Sequence, residues 1–535
     1  MNRSLFFFSI VVIAVVALIF RVSFLSDRPM HGDEAVNAVK VSELIEGDEY
    51  KYDPYEYHGP TLNYFSLITA WLYGANSFVD LNEEALRILP VLFGLFLLVI
   101  IYSLRDALGA QAVLFSFVFI AVSPVMVFFS RYFIHELILV FFTATFIIGG
   151  YFYLKNPRII WALIIGVSLG LMHATKETFV ISISAIVLGL FFLFVQASKK
   201  NRLAILKSVR VSHLFLMLIS AFFISTLFFS SFFKNPKGII DSISTFVTYA
   251  DRAENSVHVH PWYFYFQLLF FYQYSDGPFF SEWIVLFLSL VGSFFGFRGE
   301  LKYGNPKFIR FLVFFTAVII IIYSLIPYKT PWCLLSFYYG MLVLSGVGAV
   351  QLIHLRNKSF RMISIGIIFF GVLHLGQQAY SMNYKYFFDS RNPYIYGHTS
   401  SDVPKIVEKI KLIASFGNGD LPVQIQVYCP DNDYWPLPWY LRDYNVEYGD
   451  VVSEETPPAP IILIQPSMED DLMRKLYELP EPGQRELYMY LFYNVDDGTV
   501  DVMELRPSVE LVGFVSRSLF EKYLQNNTKG LEVEP

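Results

Sequence analysis

Two adjacent carboxylates, Asp33 and Glu34, follow the first apolar segment of the chain in the string HGDEA. A carboxylate beside a reacting hydroxyl can accept its proton, which makes both residues candidates for catalysis. The pair could instead cap a helix, because acidic side chains in a first turn bind free amides and oppose the helix dipole. Capping alone does not need the further ionisable residues of this loop, Glu56 and His58 in DPYEYHGPTLNYF. We therefore interpret the loop as catalytic, with Glu56 and His58 as candidate acceptor-binding or loop residues.

Basic residues stand in three short polar turns between apolar segments. They are Arg131 in FFSRYFIHELI, Lys176 in HATKETF and Lys329 in IPYKTPWCL. Each has an ordinary explanation, since Arg and Lys near a membrane surface extend toward water or anchor a helix end. Charges at membrane depth are nevertheless costly and mark functional sites by default. Together the three cations predict a site for a phosphate group.

The string RYFIHE also places His135 beside Glu136. In a turn, both side chains can reach one cation, and Asp33 would add a third ligand. Such an oxygen and nitrogen set suits a divalent cation, Mg²⁺, Mn²⁺ or Zn²⁺, without deciding among them. Two histidines in NSVHVHPWY, His258 and His260, are a weaker alternative, because histidines on a polar loop are more often solvent-exposed. The sequence indicates no other cofactor.

The composition excludes several classes of protein. The 535 residues are 55% hydrophobic, 18% aromatic and only 16% charged, which predicts an integral membrane protein. The net charge is −6 and no Lys/Arg run is interleaved with aromatic residues, so a nucleic-acid partner has no support. The two cysteines, Cys333 and Cys429, can form neither a disulfide framework nor a cysteine-based metal site.

Apolar segments long enough to cross about 30 Å of hydrocarbon recur up to residue 380. We predict eleven spanning helices, at 5–24, 86–104, 111–130, 136–154, 159–175, 178–197, 212–232, 281–297, 309–327, 332–353 and 362–380. The first lacks a small-x-small cleavage pattern and is interpreted as an uncleaved helix. The pair 159–175 and 178–197 is the least certain, because HATKET interrupts one long apolar region.

Basic residues indicate the orientation of these helices. Five basic connections, which contain LRD, KNPR, SKKNRLAILKSVR, FRGELKYGNPKFIR and HLRNKSFR, fall on one side if every segment spans. The positive-inside rule places that side in the cytoplasm. We therefore predict a multi-pass protein of the cytoplasmic (inner) membrane with its N-terminus inside. The loop after the first helix, the turns that carry the candidate residues, and everything after residue 380 are predicted to be outside.

The composition changes near residue 381, where acidic residues begin to outnumber basic ones. Helix-like and strand-like strings then alternate, for example SDVPKIVEKIKLIASFG, VQIQVYC and APIILIQ. This pattern predicts a transmembrane domain over 1–380 and a soluble α/β domain over 381–535. The aromatic run DYWPLPWYLRDY could stack on sugar rings, but packing onto the membrane domain or onto lipid headgroups is the simpler interpretation.

The layout resembles that of the GT-C membrane glycosyltransferases, which include protein O-mannosyltransferases, lipid A aminoarabinose transferases and oligosaccharyltransferases. The strings that carry the resemblance are HGDEA, YHGPTLNY, RYFIHE, ATKET, IPYKTPW, RNPYIYGHTS and DNDYWPLPWYLRDY. Within that group they look like a prokaryotic subfamily of flippase-activity-associated glycosylation proteins, which is related to archaeal glycosylation proteins. The resemblance covers almost the whole chain through the order and spacing of these strings.

The resemblance implies an α-helical polytopic GT-C fold with a C-terminal extracytoplasmic α/β domain. It also implies an inverting transfer of sugar from a polyprenyl-phosphate donor to a protein, lipid or glycan on the outer face. Asp33 would be the general base with Glu34 beside it, while Arg131, Lys176 and Lys329 would hold the donor phosphate. His135 and Glu136 stand where oligosaccharyltransferases have metal ligands, but O-mannosyltransferases work without that metal, so the resemblance leaves a divalent cation open.

Two functions from other classes compete with the enzyme. A non-catalytic flippase accessory or transporter of polyprenyl-linked glycans would predict inverted repeats around charges in the middle of the spans, and neither is clear in the sequence. A structural scaffold would leave the ionic turns unexplained. Membrane lipid is a partner in all of these readings.

Overall fold

The computed structural model describes most of the chain. The described residues are 3–47, 50–55, 58–200, 202–203, 209–254, 258–417, 422–494 and 498–531. They form two compact units. The first comprises Met1–Ser26, Glu43–Gly74 and Asn82–Tyr396, and the second comprises Asp27–Ser42, Ala75–Leu81 and Gly397–Pro535.

The first unit is helical. Its helices are Arg3–Val22, Thr61–Leu72, Glu83–Ser103, Arg105–Leu108, Ala110–Val122, Pro124–Ser130, Glu136–Lys155, Ile159–Thr175, Phe179–Gln196, Val211–Phe229, Lys237–Glu254, Phe264–Phe270, Trp283–Arg298, Pro306–Leu325, Leu335–Ile353 and Lys358–Tyr380. Long apolar side chains remain exposed along several of them, as expected for helices that face lipid rather than water.

The membrane prediction is confirmed by these helices. Each of the eleven predicted apolar segments contains a helix. In the described part of the chain, eight helices are long and apolar enough to span, and a bent pair would make a ninth. The apolar helices Ile159–Thr175 and Trp283–Arg298 have 17 and 16 residues, somewhat less than the usual 20. Their crossing of the bilayer stays a prediction.

The bent pair has a clear physical cause. Ala110–Val122 and Pro124–Ser130 meet at 60°, because Pro124 has no amide hydrogen to donate to the carbonyl of Ile120. Arg21 Nη2 donates to that carbonyl over 2.8 Å. On the other side of the bend, the fully buried Glu282 accepts a hydrogen bond from Ser123 Oγ at 2.8 Å and another from the Val125 amide at 2.9 Å. The short helix after the bend, Pro124–Ser130, ends directly before Arg131.

The second unit contains the predicted α/β domain, and that architecture is confirmed. Its strands are β1 (Gln424–Tyr428), β2 (Asn445–Gly449), β3 (Ile461–Ile464), β4 (Tyr488–Tyr490), β5 (Tyr493–Asn494), β6 (Thr499–Val500), β7 (Met503–Arg506) and β8 (Val509–Ser516). The order β2-β1-β3-β8-β4 places β2, β1 and β3 in parallel and β8 antiparallel to β3, β4 and β7. The helices are Gly32–Ile45, of which residues 32–42 belong to this unit, Asp402–Ala414, Leu437–Tyr440, Glu469–Met473 and Arg517–Leu531.

The sheet has an apolar core on both faces. Ile461 and Leu463 of β3 belong to one cluster of buried side chains, whereas Ile462 and Ile464 belong to the other. Alternate residues of a strand point to opposite faces, so the continuous apolar string IILI fits a central strand that is covered on both sides.

The first unit extends past the change in composition at residue 380 and ends at Tyr396. Residues 381–396 pack within the first unit: Tyr384 donates to the carbonyl of Phe20 over 2.7 Å, and Tyr394 donates to Glu282 over 3.0 Å. The amino-acid composition of this segment does not reveal these hydrogen bonds of Tyr384 and Tyr394. The predicted boundaries of 1–380 and 381–535 therefore describe where apolar sequence ends, and the second unit begins again at Gly397.

Candidate active site

The acidic pair in HGDEA has two different environments in the second unit. Glu34 is fully buried and accepts hydrogen bonds from Arg28 Nη2 at 3.2 Å and from the His31 amide at 3.1 Å. The side chain of Asp33 is 56% exposed. Both stand in the first turn of the helix Gly32–Ile45. Glu34 therefore fixes the turn, while the carboxylate of Asp33 is accessible to a reactant.

Residues from the far end of the chain hold this turn within the same unit. The Met30 amide donates to the Tyr440 hydroxyl over 2.7 Å, and the Thr399 hydroxyl donates to the Met30 carbonyl over 2.5 Å. The His31 ring lies 5.4 Å from the ring of His398. Strings quoted from opposite ends of the sequence, HGDEA, GHTS and YWPLPWY, thus meet in the fold.

Asp33 also faces a guanidinium from β7. Arg506 forms an ion pair with Asp433 and is only 26% exposed. Burial lowers the pKa of Arg506, and the negative charge of nearby Asp33 opposes that change. The interaction gives Asp33 a cationic neighbour that nothing in the local sequence indicates.

A second cluster lies in the first unit, where the predicted turns of Arg131 and Lys176 meet the loop that carries His58. Lys176 Nζ donates to Glu136 Oε1, and both side chains are about 6% exposed. Nearby, His58 Nδ1 lies 3.0 Å from Glu177 Oε2. The ring of His58 stands edge-on to that of His135 at 5.2 Å. The strings YHGP, RYFIHE and ATKET therefore supply one buried ionic cluster, which we call the His58–Glu177 cluster.

Burial and charge set the protonation of this cluster. Burial, assisted by the positive charges near it, lowers the pKa of His135 well below 6.5. Burial raises the pKa of Glu177, but His58 and Lys176 together lower it by more, so the pKa lies below its ordinary value. Glu177 is therefore ionised at neutral pH. Its Oε1 has no hydrogen-bond partner among the described residues, so His58, with a 31% exposed side chain, provides its link to the surface.

Gly59 is required for the close packing of this cluster. Its carbonyl lies 3.0 Å from His135 Nε2, and a Cβ added at Gly59 would stand 2.2 Å from the carbonyl oxygen of Ala174. We expect Gly59→Ala to lower the thermal unfolding temperature by several degrees, since a strained core substitution costs about 1–3 kcal/mol. Gly150→Ala is the matched control, because a Cβ there meets nothing within 4 Å. Equal unfolding temperatures for the two variants would contradict the packing argument.

Lys329 is a buried cation in a different setting. Its side chain is 1% exposed, and Nζ donates to the carbonyls of His260 at 3.0 Å and Ile326 at 2.5 Å. No ion pair forms at Lys329 within the described part of the chain. Burial lowers the pKa of this ammonium, and a bound anion would oppose that change.

The loop before Lys329 is pinned at one point. Val259 and Tyr328 form an antiparallel bridge, and the amide of Lys329 donates to the carbonyl of His258 over 3.0 Å. The two histidines of HVHP face aromatic groups: His258 Nδ1 lies 2.5 Å from the Tyr396 hydroxyl, and the His260 ring stacks on Phe264 at 4.2 Å. The segment from His258 to Phe264 therefore supports Lys329.

Arg131 is held by the C-terminal end of the first helix. Its guanidinium donates to the carbonyl of Phe24 over 2.8 Å and to that of Ser23 over 2.5 Å. It also stacks on Tyr384, with 4.9 Å from Cζ to the ring centre. A cation at the C-terminal end of a helix satisfies free carbonyls and opposes the helix dipole. This geometry accounts for Arg131 without a phosphate, and its role as a phosphate ligand stays a prediction.

The sequence and the fold both resemble those of known membrane glycosyltransferases. Residues 58–228 match the model of the dolichyl-phosphate-mannose-protein mannosyltransferase family. The structure matches that of ArnT from Cupriavidus metallidurans bound to undecaprenyl phosphate with a TM-score of 0.60, at 13% identity, over 96% of this chain and 98% of that one. The chain has the GT-C glycosyltransferase fold.

Two archaeal structures give the same GT-C architecture. Oligosaccharyltransferase AglB from Archaeoglobus fulgidus, in complex with an inhibitory peptide and a dolichol-phosphate, matches with a TM-score of 0.55 at 13% identity over 97% of this chain and 77% of that one. An A. fulgidus oligosaccharyltransferase tethered with an acceptor peptide matches with a TM-score of 0.54 at 13% identity, over 84% of this chain and 64% of that one. No curated protein matches this chain by sequence.

The GT-C resemblance drawn from the sequence is thereby confirmed, together with a multi-pass membrane architecture. The narrower flippase-associated subfamily stays a prediction. Sequence reasoning missed Arg21 and Glu282, which stabilise the helix bend. It singled out the strings that contain Thr399 and Tyr440 but did not predict that these side chains hold the loop of Asp33. A proline inside an apolar window was the available signal for the bend, whereas the other contacts join residues that are far apart in sequence.

Two of the predicted metal ligands contact other groups of the protein. Glu136 pairs with Lys176, and His135 Nε2 lies 3.0 Å from the carbonyl of Gly59. Among the described residues, no group of three or more His, Cys, Asp or Glu side chains could hold a metal ion. The divalent cation stays a prediction. Glu56, the other predicted loop residue, lies outside the described residues.

Proposed function

We propose that this GT-C protein is an inverting glycosyltransferase that moves a sugar from a polyprenyl-phosphate donor to an acceptor on the outer face of the membrane. The observation that carries the proposal is the contrast within the acidic pair: Glu34 is buried in an ion pair, while Asp33 is exposed. ArnT and AglB support the donor class, since their structures contain undecaprenyl phosphate and a dolichol-phosphate, respectively.

The chemistry is a single displacement at the anomeric carbon of the sugar. The carboxylate of Asp33 accepts the proton of an acceptor hydroxyl or amide while the acceptor atom forms a bond to that carbon. The bond from the same carbon to the phosphate oxygen breaks, and polyprenyl phosphate leaves with the electron pair. One displacement inverts the anomeric configuration. Phosphate is already a good leaving group, so the protein must mainly position the acceptor and stabilise developing negative charge.

Buried cations are proposed to stabilise that charge. Lys329 is bound by backbone carbonyls alone among the described residues, and an anionic phosphate would provide its missing counter-charge. Lys176 is paired with Glu136 and could share its ammonium with a phosphate oxygen. Arg131 completes the proposed set. The comparison of transfer with and without EDTA tests whether a divalent cation takes part.

The proposed location is the cytoplasmic (inner) membrane, with the N-terminus inside and the C-terminal domain outside. The support is the set of five basic connections that fall on one side of the predicted helices. On this orientation, the loop of Asp33 and the turns of Lys176 and Lys329 all lie on the outer side.

The test is transfer by the purified full chain in lipid nanodiscs. A panel of radiolabelled polyprenyl-phosphate sugars is offered with candidate protein, lipid and glycan acceptors, with and without EDTA. We expect one donor to release polyprenyl phosphate and to give a product of inverted anomeric configuration by NMR. Retained configuration would contradict the mechanism. A donor that binds without turnover would instead favour the non-catalytic accessory, and loss of activity in EDTA would support the metal.

A further inference from the structure

Two strings in the C-terminal part of the second unit, GHTS and YWPLPWY, have no role in the reaction described above. Both reach the backbone of the loop that carries Asp33. Tyr440 accepts a hydrogen bond from the Met30 amide at 2.7 Å, and Thr399 donates one to the Met30 carbonyl at 2.5 Å. Both polar groups of one residue's backbone are thus held by side chains that lie 410 and 369 residues away in sequence.

The position of Met30 makes these bonds consequential for Asp33. Met30 is fully buried and lies just before the helix that begins at Gly32. Buried backbone groups need partners, so the two hydroxyls determine where this backbone can stand. Asp33 is in the first turn of that helix, and the direction of its carboxylate follows from where the helix begins.

A separate contact acts on the same turn. The His31 ring packs against His398, and its Nδ1 accepts a hydrogen bond from the Asp33 amide at 3.0 Å. His398 is the residue next to Thr399. The GHTS string therefore reaches Asp33 by two routes, through the Met30 carbonyl and through the imidazole of His31.

We propose that Thr399 and Tyr440 are positioning residues for Asp33, so that the C-terminal domain completes the setting of the general base. The inference rests on the proposed function, which gives Asp33 that role. A catalytic carboxylate that is misplaced by about 1 Å can lose about a hundredfold in rate. Neither hydroxyl needs to touch a substrate, because each acts through the backbone of Met30.

The experiment uses matched variants of the full chain in nanodiscs. Tyr440→Phe and Thr399→Val remove the hydroxyls with little change of shape. Tyr444→Phe is the control, since Tyr444 packs on the same core but makes no hydrogen bond to Met30. Thr399→Ser should rescue, because it keeps a hydroxyl. Each variant is measured for kcat and KM with the polyprenyl-phosphate sugar that the wild type uses, and for amide hydrogen exchange without ligand.

We expect Tyr440→Phe and Thr399→Val each to lower kcat about 10- to 100-fold with donor KM unchanged. Hydrogen exchange should become faster in the peptide that covers residues 28–35 and stay unchanged in the sheet. Tyr444→Phe and Thr399→Ser should match the wild type. Unchanged kcat and exchange would overturn the proposal, as would faster exchange across the whole second unit, which would indicate general stabilisation.

The two arms separate this inference from the proposed function. If the wild type transfers no sugar from any donor, the proposed function fails, and hydrogen exchange still decides whether the hydroxyls fix the loop. Faster hydrogen exchange confined to residues 28–35 in Tyr440→Phe and Thr399→Val would then support the positioning of Asp33. Exchange rates equal to those of the wild type would refute it.

Discussion

Asp33→Asn is expected to lower the rate of polyprenyl-phosphate release about 10²- to 10⁴-fold, the usual contribution of a general base. An amide cannot accept the acceptor's proton, yet it has nearly the shape of the carboxylate. Because the side chain of Asp33 is 56% exposed and lies outside the apolar cores, the thermal unfolding temperature should change little. The measurement is single-turnover release of radiolabelled lipid phosphate, with unfolding followed on the same preparation.

Glu34→Gln is the informative comparison for Asp33→Asn. Glu34 is fully buried and receives Arg28 and the amide of His31, so loss of its charge disrupts a buried ion pair. Such disruption costs about 3–5 kcal/mol, and we expect a clear fall in unfolding temperature. Equal losses of activity at unchanged stability in both variants would show that the two carboxylates share one catalytic role. That result would contradict the division of labour inferred from their exposure.

The apolar segments were predictable because the bilayer imposes a length and a composition on each spanning helix. The windows at 136–154 and 309–327, for example, correspond to the helices Glu136–Lys155 and Pro306–Leu325. The same applies to IILI in the tail, where an unbroken apolar string predicts a central strand. These features are local in sequence, and local patterns are sufficient to detect them.

The environments of the candidate residues were not predictable in this way. Asp33 and Glu34 are neighbours with the same chemistry, yet in the fold Glu34 is buried against Arg28 and the His31 amide while the carboxylate of Asp33 is exposed. Glu282 shows the same limit, since a carboxylate at the start of an apolar segment is typical of a helix end. In the fold it accepts hydrogen bonds from Ser123, more than 150 positions earlier in the chain.

The ionic cluster of the first unit was predictable only in part. Its residue types indicated that YHGP, RYFIHE and ATKET carry function, and the fold does bring the three strings together. Their pairing could not be deduced, because Glu136 could have served a metal, a phosphate-binding lysine or a helix end. The structure pairs Glu136 with Lys176.

Lys176→Met is expected to destabilise the first unit by about 3–5 kcal/mol, because it leaves the carboxylate of Glu136 buried without its cation. The double variant Lys176→Met/Glu136→Gln should recover most of that loss, since removal of both charges from a buried pair is often nearly neutral. The measurement is thermal unfolding of wild type, both single variants and the double variant in nanodiscs, analysed as a double-mutant cycle. A double variant as unstable as Lys176→Met would contradict the direct pairing.

The same four proteins can separate the structural role of Lys176 from its proposed role toward phosphate. A ligand that binds only the folded state stabilises it by an amount that grows with the logarithm of ligand concentration over dissociation constant, so added polyprenyl phosphate should raise the unfolding temperature of the wild type. If Lys176 donates to the phosphate, that increment should shrink strongly in the double variant even though its intrinsic stability has recovered. An undiminished increment would assign phosphate binding to Lys329 or Arg131 and leave Lys176 as the partner of Glu136. If Lys176 is a phosphate ligand, Glu136 and the phosphate compete for its ammonium. The single variant Glu136→Gln should then bind polyprenyl phosphate more tightly than the wild type. Unchanged binding would show that Lys176 is not a phosphate ligand.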